Sequence, residues 1–183
     1  KFSSDVAGPL VFRGLFSNRS AKGIGDGLAR YSYGKGSLTE ASVLKALEWL
    51  KTHQLEDGSW HKSKDATDRL KVAFTGLATL TFLAHGETLA SEQYGATLQK
   101  GLRWLVGNQQ KDGRFAGCAY AHAIATYAVS EGFALTQLPA LQDAMDKAVG
   151  VIIKGQQPAG MWTYGYAHNG RRDTSVSAWQ VQA

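Results

Sequence analysis

Three related octapeptides recur along the chain and constrain its fold more than any other feature. They are HQLEDGSW at 53–60, NQQKDGRF at 108–115 and GQQPAGMW at 155–162. A spacing that recurs in this way indicates a structural repeat, in which every copy forms the same supersecondary unit. Each copy keeps a glutamine, a glycine and an aromatic residue at matching positions, namely Gln54, Gly58 and Trp60, then Gln109, Gly113 and Phe115, then Gln156, Gly160 and Trp162.

An amphipathic segment precedes each octapeptide. Val43, Leu47 and Leu50 have the spacing of one helix face. Offsets of 55 and 102 residues lead to apolar residues at the same phases, Leu98, Leu102 and Leu105, then Met145, Val149 and Ile152. This pattern predicts one type of amphipathic helix, used three times. Ser37 and Glu40 have the spacing of a capping box, which would begin the first of these helices.

A second helical run follows each octapeptide, over 73–86, 119–132 and from 174 to 183. Its residues are small or apolar nearly all round, so we expect these helices to be buried on all sides. Each unit is then a hairpin of one amphipathic and one enclosed helix, and hairpins are predicted at about 38–86, 92–133 and 138–183. Stacked hairpins predict an all-α repeat domain over 38–183, with enclosed helices inside and amphipathic helices outside.

The octapeptides themselves are interpreted as structural joints. Asp57 and Asp112 each stand directly before the glycine of their octapeptide. Asp-Gly is a turn signal in which glycine supplies a positive φ. The glutamine amide can satisfy carbonyls at a helix end or in a neighbouring loop. Ala159 replaces the aspartate in the third copy, which a turn tolerates and a catalytic acid would not. We therefore assign the octapeptides no catalytic role.

The pattern Q-x-x-x-G-x-W/F, followed by an apolar helix, resembles the repeat of the squalene–hopene cyclase and protein prenyltransferase superfamily. RDTSVSAWQVQA at 172–183 resembles the inner helix after the last such motif in its cyclases. LEWLKTHQLEDGSW at 47–60 resembles bacterial proteins with prenyltransferase/squalene oxidase repeats. The resemblance covers about residues 38–183 and implies an α/α toroid of five to seven hairpins. About three hairpins are visible, a partial ring, so we expect self-association or further repeats to complete it.

Cyclases of that superfamily use a D-x-D-D acid motif, and no such motif occurs in this chain. Asp65 and Asp68 form a carboxylate pair with a different spacing. Asp173 precedes a helical run together with Thr174, and we expect it to cap that helix. The resemblance to cyclases therefore does not extend to their acid motif within these residues.

Protein prenyltransferases of the superfamily bind zinc through Asp, Cys and His. Cys118 and His122 are spaced i, i+4, so one helix face could present both as zinc ligands. Asp65, His61 or His168 could supply a third ligand. The alternative is a small buried thiol beside a hydrogen-bonded core histidine, and it is preferred. No cofactor is therefore predicted, and zinc is kept as the open alternative.

His122 is the polar residue of most interest for ligand binding. It shares an otherwise apolar helix with Tyr120 and Tyr127, and Thr75 lies in the preceding enclosed run. An apolar pocket with a few polar groups is typical of ligand sites, so these four residues are the candidate cavity site. The aromatic and basic loop over 162–172 could instead bind an acidic or carbohydrate partner, although a surface turn is the simpler interpretation.

The charge of +5 is concentrated at the start of the chain. Residues 1–37 hold six basic and two acidic residues, which indicates a Gly-rich lead-in or an arm for an anionic surface. No apolar run has the length of a membrane span, and the single cysteine excludes an internal disulfide framework. Glycine spacings for nucleotide binding and nucleic-acid modules are also missing, so we expect no nucleic-acid partner.

Two classes of function remain open. The first is a non-catalytic binding or scaffolding module for a protein, glycan or lipid-like ligand. The second is an isoprenoid-type enzyme, a terpenoid cyclase or prenyltransferase, whose active-site residues lie partly outside this segment. The missing acid motif and the incomplete zinc set favour the first class.

Overall fold

The computed structural model describes residues 36–65 and 68–183, and this part of the chain forms six helices and no strand. The prediction of an all-α fold is therefore confirmed, and the chain forms an α/α-toroid segment. The lead-in predicted over 1–37 lies outside the described residues except for Gly36 and Ser37, which belong to the first helix. The helices are α1 (Gly36–Thr52), α2 (Arg69–Ala84), α3 (Gly95–Gly107), α4 (Ala119–Thr136), α5 (Pro139–Lys154) and α6 (Thr174–Gln182).

The helices alternate between an outer and an inner row. The inner helices α2, α4 and α6 stack side by side, because α4 packs against α2 on one side and α6 on the other. The outer helices α3 and α5 pack on this row, and α1 packs on α2. The predicted apolar face of α3 is fully used, since Leu98, Leu102 and Leu105 are all buried in the main core. Each outer helix thus has its apolar face towards the inner row, so the core lies between the two rows.

Only one of the three inner helices is enclosed as predicted. α4 is buried nearly all round because it lies between α2 and α6, with outer helices behind it. The prediction is wrong for α2, on which Leu70, Phe74 and Leu77 are exposed, and for α6, on which Val181 is exposed. Each of these two has a described inner-row neighbour on one side only, so its other face is open.

Side chains near the starts of α6, α2 and α1 make hydrogen bonds that cap a helix or contact another segment. Asp173 caps α6 as predicted, because its carboxylate accepts a hydrogen bond from the Val176 N–H at 2.9 Å. Asp68 does the same for α2 through the Leu70 N–H. The capping box predicted from Ser37 and Glu40 lies outside the described side chains at Ser37, and the Glu40 carboxylate lies 3.2 Å from the His85 ring.

Candidate functional site

The glutamine of the first two octapeptides links one hairpin to the next. Gln54 donates from Nε2 to the Gly58 carbonyl within its own turn and to the Thr97 carbonyl of α3, both at 3.0 Å. Gln109 repeats this pattern with Gly113 at 3.0 Å and with Ala144 of α5 at 2.8 Å. Each amide therefore closes the turn that follows its own outer helix and fastens it to the next outer helix.

The glycine of each octapeptide adopts a positive φ, at Gly58 (93°), Gly113 (89°) and Gly160 (87°). At Gly58 and Gly113, the close approach of the next outer helix also leaves no room for a side chain. A Cβ on Gly58 would lie 2.6 Å from the Lys100 carbonyl oxygen, and one on Gly113 would lie 2.7 Å from that of Lys147. Real Cβ atoms do not approach an oxygen so closely, so these glycines allow the hairpins to pack at this distance.

The aromatic residue of each octapeptide is held by the inner helix that follows it. Its backbone N–H donates to Thr75 in the first hairpin, to the His122 ring in the second and to Ser177 in the third. The two tryptophans also donate from Nε1 to the end of their own outer helix, Trp60 to the Leu50 carbonyl and Trp162 to the Ile152 carbonyl, each at 2.7 Å. Thr75, His122 and Ser177 thus occupy the same place in successive hairpins.

His122 is completely buried, and both of its ring nitrogens have partners. Nδ1 accepts from the Phe115 N–H at 3.1 Å, and Nε2 lies 3.1 Å from the Ala148 carbonyl of α5. Because a carbonyl can only accept, the proton must be on Nε2, and the ring is the neutral Nε2–H tautomer. Burial disfavours the charged ring and lowers the pKa of His122 to about 4, although the Ala148 hydrogen bond opposes this.

The four candidate cavity residues lie on two inner helices, Thr75 on α2 and the other three on α4. Thr75 is buried beside Trp60 and donates to the Lys71 carbonyl at 2.7 Å, whereas His122 is buried beside Phe115. Tyr120 hydrogen-bonds to the Ser175 hydroxyl of α6 and packs against the Tyr164 ring at 5.5 Å. Tyr127 is half-buried on α4. His122 and Tyr120 therefore take part in contacts between hairpins, whereas the hydrogen bonds of Thr75 lie within the first hairpin.

The candidate zinc ligands are placed as follows. Cys118 is a free, half-buried thiol at the N-cap of α4, one turn before His122. Asp65 lies in the loop before α2, on the first hairpin. Over residues 36–65 and 68–183, no group of three or more His, Cys, Asp and Glu side chains is arranged to hold a metal ion. Zinc binding stays the open alternative to the expectation of no cofactor, and because both nitrogens of the His122 ring have partners, it would need other ligands.

The aspartate of the first octapeptide is the centre of a polar cluster. Its carboxylate accepts from the Ser59 hydroxyl at 2.6 Å and from the Lys71 ammonium at 2.8 Å. Partial burial opposes ionisation, but these bonds to Lys71 and Ser59 lower the pKa of Asp57 to about 2. Lys71 also lies over the Trp104 ring of α3, 5.5 Å from its centroid. Asp57 is thus an ionised partner of Lys71 at neutral pH.

The sequence did not indicate an open groove that lies on the first hairpin, between α1, the first octapeptide and α2. We call it the end groove. Trp49 stacks on His53 with ring centroids 4.0 Å apart, and His61 meets Phe74 edge-on. Trp49 has the same phase as Trp104, but among the described residues no hairpin precedes Trp49 to cover it. The groove has a volume of about 500 Å³ and is lined mainly by apolar side chains, among them Trp49, Leu50, Trp60, Phe74, Leu77 and Ala78.

Comparison with known proteins agrees with this architecture. The family described as squalene-hopene cyclase C-terminal domain matches residues 27–124, which include α1, α2, α3 and the first residues of α4. The chain belongs to this family. The predicted membership of the prenyltransferase and squalene cyclase repeat superfamily is confirmed. No curated protein and no solved structure shows significant similarity to the chain.

The matched residues, 27–124, contain several features of this squalene-hopene cyclase-like domain described above. It includes the first two octapeptides and all the residues that line the end groove. Among the helices of the described ranges, none has both the length and the apolarity that a bilayer crossing requires.

Proposed function

We propose that this squalene-hopene cyclase-like domain is a binding or scaffolding module that binds an apolar protein surface in its end groove. The observation that carries the proposal is the exposure of large aromatic side chains there. Trp49 is 58% exposed and Phe74 is 44% exposed, although most large apolar side chains of the described residues are buried or half-buried. A contiguous exposed apolar surface of this kind is typical of interaction sites.

The same surface is covered in the second hairpin, which supports a protein as the occupant. Trp104 stands 55 residues after Trp49, at the same phase of its helix, and is only 7% exposed. It is covered from the first hairpin by the Lys71 side chain. At Trp104, this position of the repeat is packed against another part of the protein. At Trp49 in the end groove, no described residue covers the same position to this extent.

The inner helices show the same difference. Thr75 and His122 occupy matching places, so Leu77 of α2 corresponds to Ile124 of α4, 47 residues later. Ile124 is buried against α2, where a Cβ on Gly76 would meet its side chain at 2.9 Å. Leu77 is exposed. The face that α4 uses to pack on its neighbour is therefore open on α2, which favours a helical partner surface.

Binding of the apolar dye 1-anilinonaphthalene-8-sulfonate tests whether the end groove accepts an apolar partner. We expect dilute folded protein to enhance the dye's fluorescence and Phe74→Glu to abolish most of that enhancement. Ile153→Glu is the matched control, because Ile153 is an exposed apolar residue on α5, away from the groove. Equal dye binding by the native chain and by Phe74→Glu would contradict the proposal.

An isoprenoid-type enzyme is the second candidate, and the family membership and the aromatic lining of the groove favour it. Aromatic faces stabilise cations, which an isoprenoid cyclisation would generate. Incubation with squalene, followed by gas chromatography of the extracted lipids, tests this candidate. If the native chain forms a cyclic product and the Phe74→Glu variant does not, the enzyme is the correct function and the binding module is rejected.

A further inference from the structure

The charged residues of the domain are divided unequally between its two ends. One end consists of the last turn of each outer helix, the octapeptide, the loop that follows and the first turn of the inner helix, over 50–72, 105–122 and 152–177. We call it the loop end. It holds ten basic and six acidic residues, whereas the rest of residues 36–183 holds four basic and seven acidic residues. The loop end is therefore the basic end of the domain.

Most of the acidic side chains at the loop end are already used within the domain. The aspartates of the first two octapeptides each pair with a cation, Asp57 with Lys71 at 2.8 Å and Asp112 with Arg114 at 3.6 Å. Two more aspartates cap α2 and α6. The loop end thus presents positive charge to the solvent. Its exposed basic side chains include Lys62, Lys64, Lys111, Lys154, Arg171 and Arg172.

The third hairpin differs from the other two, because Ala159 stands where their octapeptides have an aspartate. Arg171 and Arg172 follow in the loop of this hairpin, and among the described residues neither guanidinium forms an ion pair. The neighbouring Asp173 carboxylate is occupied by the Ser175 hydroxyl at 2.7 Å and by the backbone of α6. The third hairpin therefore has two exposed arginines and lacks the carboxylate that pairs with a cation in the other hairpins.

The loop that carries these arginines is held by a side chain beneath it. Gln157 is buried, and its amide donates to the Ala167 carbonyl and accepts from the Gly170 N–H at 3.2 Å. The Arg171 guanidinium lies over the exposed Tyr164 ring, 5.6 Å from its centroid. A guanidinium stacked on an aromatic ring keeps the N–H groups at its edge available for a planar acceptor such as a carboxylate. Arg171 is thus oriented before any partner binds.

The loops are exposed because they lie along an edge that the stacking of hairpins does not cover. The inner helices pack side by side, and the loops lie at their N-terminal ends. Lys62 and Lys64 in the loop of the first hairpin are exposed although the second hairpin packs beside it. The loop of the third hairpin is exposed although the second hairpin packs on its other side. A neighbouring hairpin on either side thus leaves this edge accessible.

The span of the basic surface indicates an extended partner. α2 and α6 lie on opposite sides of α4, and packed helix axes are about 8–10 Å apart, so the loops of the first and third hairpins are separated by roughly 20 Å. A fully extended polypeptide covers this distance with about six residues. One acidic segment therefore reaches from Arg171 and Arg172 to Lys64, whereas a single small anion does not.

We propose that the loop end binds an acidic polypeptide segment, with Arg171 and Arg172 as its anchor. Aspartate or glutamate side chains of the partner supply the carboxylates that the third hairpin lacks. A polypeptide is the favoured source, because aspartate side chains make the matching pairs within the domain, at Asp57 and Asp112. The anchor lies on the third hairpin and the end groove on the first, so this inference goes beyond the proposed function and does not rest on it.

Fluorescence anisotropy of a fluorescein-labelled decapeptide of glutamate, titrated with the chain in low-salt buffer, tests the proposal. Arg171→Ala/Arg172→Ala should weaken binding about tenfold, because two charged hydrogen-bonded contacts are lost. Lys100→Ala/Arg103→Ala is the matched control, since it removes the same charge from exposed positions on α3, outside the loop end. We expect this control to weaken binding less than about twofold. Circular dichroism confirms that each variant is folded.

A conservative variant separates an oriented guanidinium from charge alone. Arg171→Lys/Arg172→Lys keeps both charges and loses the planar fork, so we expect its affinity to lie between those of the native chain and the alanine variant. Equal losses in the alanine variant and in the α3 control would show that binding follows net charge, and would overturn the proposal. A native chain that does not bind the peptide would also overturn it.

A decamer of galacturonate, which carries as many side-group carboxylates as the peptide, tests the class of partner. Tighter binding of this glycan than of the peptide would assign the loop end to an acidic polysaccharide and overturn the proposed partner. The dye experiment on the end groove is independent of this result. Dye binding that depends on Phe74 should be unchanged in Arg171→Ala/Arg172→Ala, so a failure at one surface can be told from a failure at the other.

Discussion

The Gln109 side-chain amide donates to the Ala144 carbonyl at 2.8 Å and thereby fastens the turn after α3 to α5. Gln54 makes the matching bond to Thr97, while the bond of Gln156 to Gly160 lies within its own turn. One residue type at one motif position therefore has two structural roles. It closes a local turn at all three octapeptides, and it also joins hairpins at the first two.

Replacing these glutamines separates the two roles. Gln109→Ala leaves the Ala144 carbonyl without this donor, so we expect the free energy of unfolding to fall by about 1–2 kcal/mol. Gln156→Ala is the matched control and should cost less than about 0.5 kcal/mol in dilute, unassembled protein. Urea denaturation followed by circular dichroism measures both values. Equal losses in the two variants would contradict the inter-hairpin role of Gln109.

The octapeptide glycines allow a second comparison. Gly113→Ala and Gly160→Ala both place a Cβ at a positive φ, which costs about 1–2 kcal/mol. Only at Gly113 would that Cβ also lie 2.7 Å from the Lys147 carbonyl oxygen. We expect Gly113→Ala to lower the thermal midpoint more than Gly160→Ala does. The difference should correspond to at least about 1 kcal/mol in the free energy of unfolding. A larger loss in Gly160→Ala would show that the backbone clash is not what requires glycine.

His122 makes stability depend on acid pH. Its pKa falls from the ordinary 6.5 to about 4 on folding, so the unfolded chain binds the extra proton between these values. The stability due to the neutral ring is present above pH 6.5 and is lost as the pH falls towards 4, by about 3 kcal/mol in all. Urea denaturation at several pH values measures this loss.

The control for this titration is His122→Gln. An amide can accept from the Phe115 N–H and donate to the Ala148 carbonyl, as the ring does, but it does not titrate. We expect the variant to be folded and to lose most of the dependence of stability on pH between 6.5 and 4. An unchanged slope in His122→Gln would assign the acid sensitivity to other groups.

His85 should give the opposite sign. Burial alone would lower its pKa, but hydrogen bonds to Glu87 at 2.8 Å and to Glu40 at 3.2 Å raise it above 6.5. The folded protein then holds the proton more tightly than the unfolded chain. The stabilisation is present below pH 6.5 and is lost as the pH rises through the folded pKa.

Removing the charge tests this contact between α1 and the end of α2. We expect His85→Gln to have lower stability than the native chain in mildly acidic buffer and a smaller difference in alkaline buffer. The two proteins are compared by urea denaturation in the His122→Gln background, so that only one histidine contributes to the slope. A difference that grows as the pH rises would contradict the raised pKa of His85.

Much of the repeat was predictable because its signals are local. The spacing of Leu98, Leu102 and Leu105 identifies a helix face, and an Asp-Gly pair indicates a turn, without knowledge of any distant residue. The structure shows both features. The partner carbonyls of the glutamines were not predictable, because Thr97 lies 43 residues from Gln54 and a backbone acceptor has no sequence signature.

The candidate site was harder to predict than the fold. His122 was singled out because a histidine is unusual in an apolar helix, and its position inside α4 follows from that apolar sequence. Its neutral tautomer depends on Phe115 and Ala148, which come from two other segments. The end groove was not predicted, because Phe74 and Leu77 have the composition of an enclosed helix and differ from buried residues only in lacking a described neighbour.

The sequence by itself determined that the chain is all-α, that it repeats a helical hairpin and that a turn containing a glutamine and a glycine follows each outer helix. These properties follow from hydrophobic periodicity and backbone chemistry, which act over a few residues. Only the tertiary structure decided that Trp104 is covered while Trp49 is exposed, although both residues occupy the same place in the repeat. Burial of a face depends on the neighbour that packs against it, and that neighbour is a distant part of the chain.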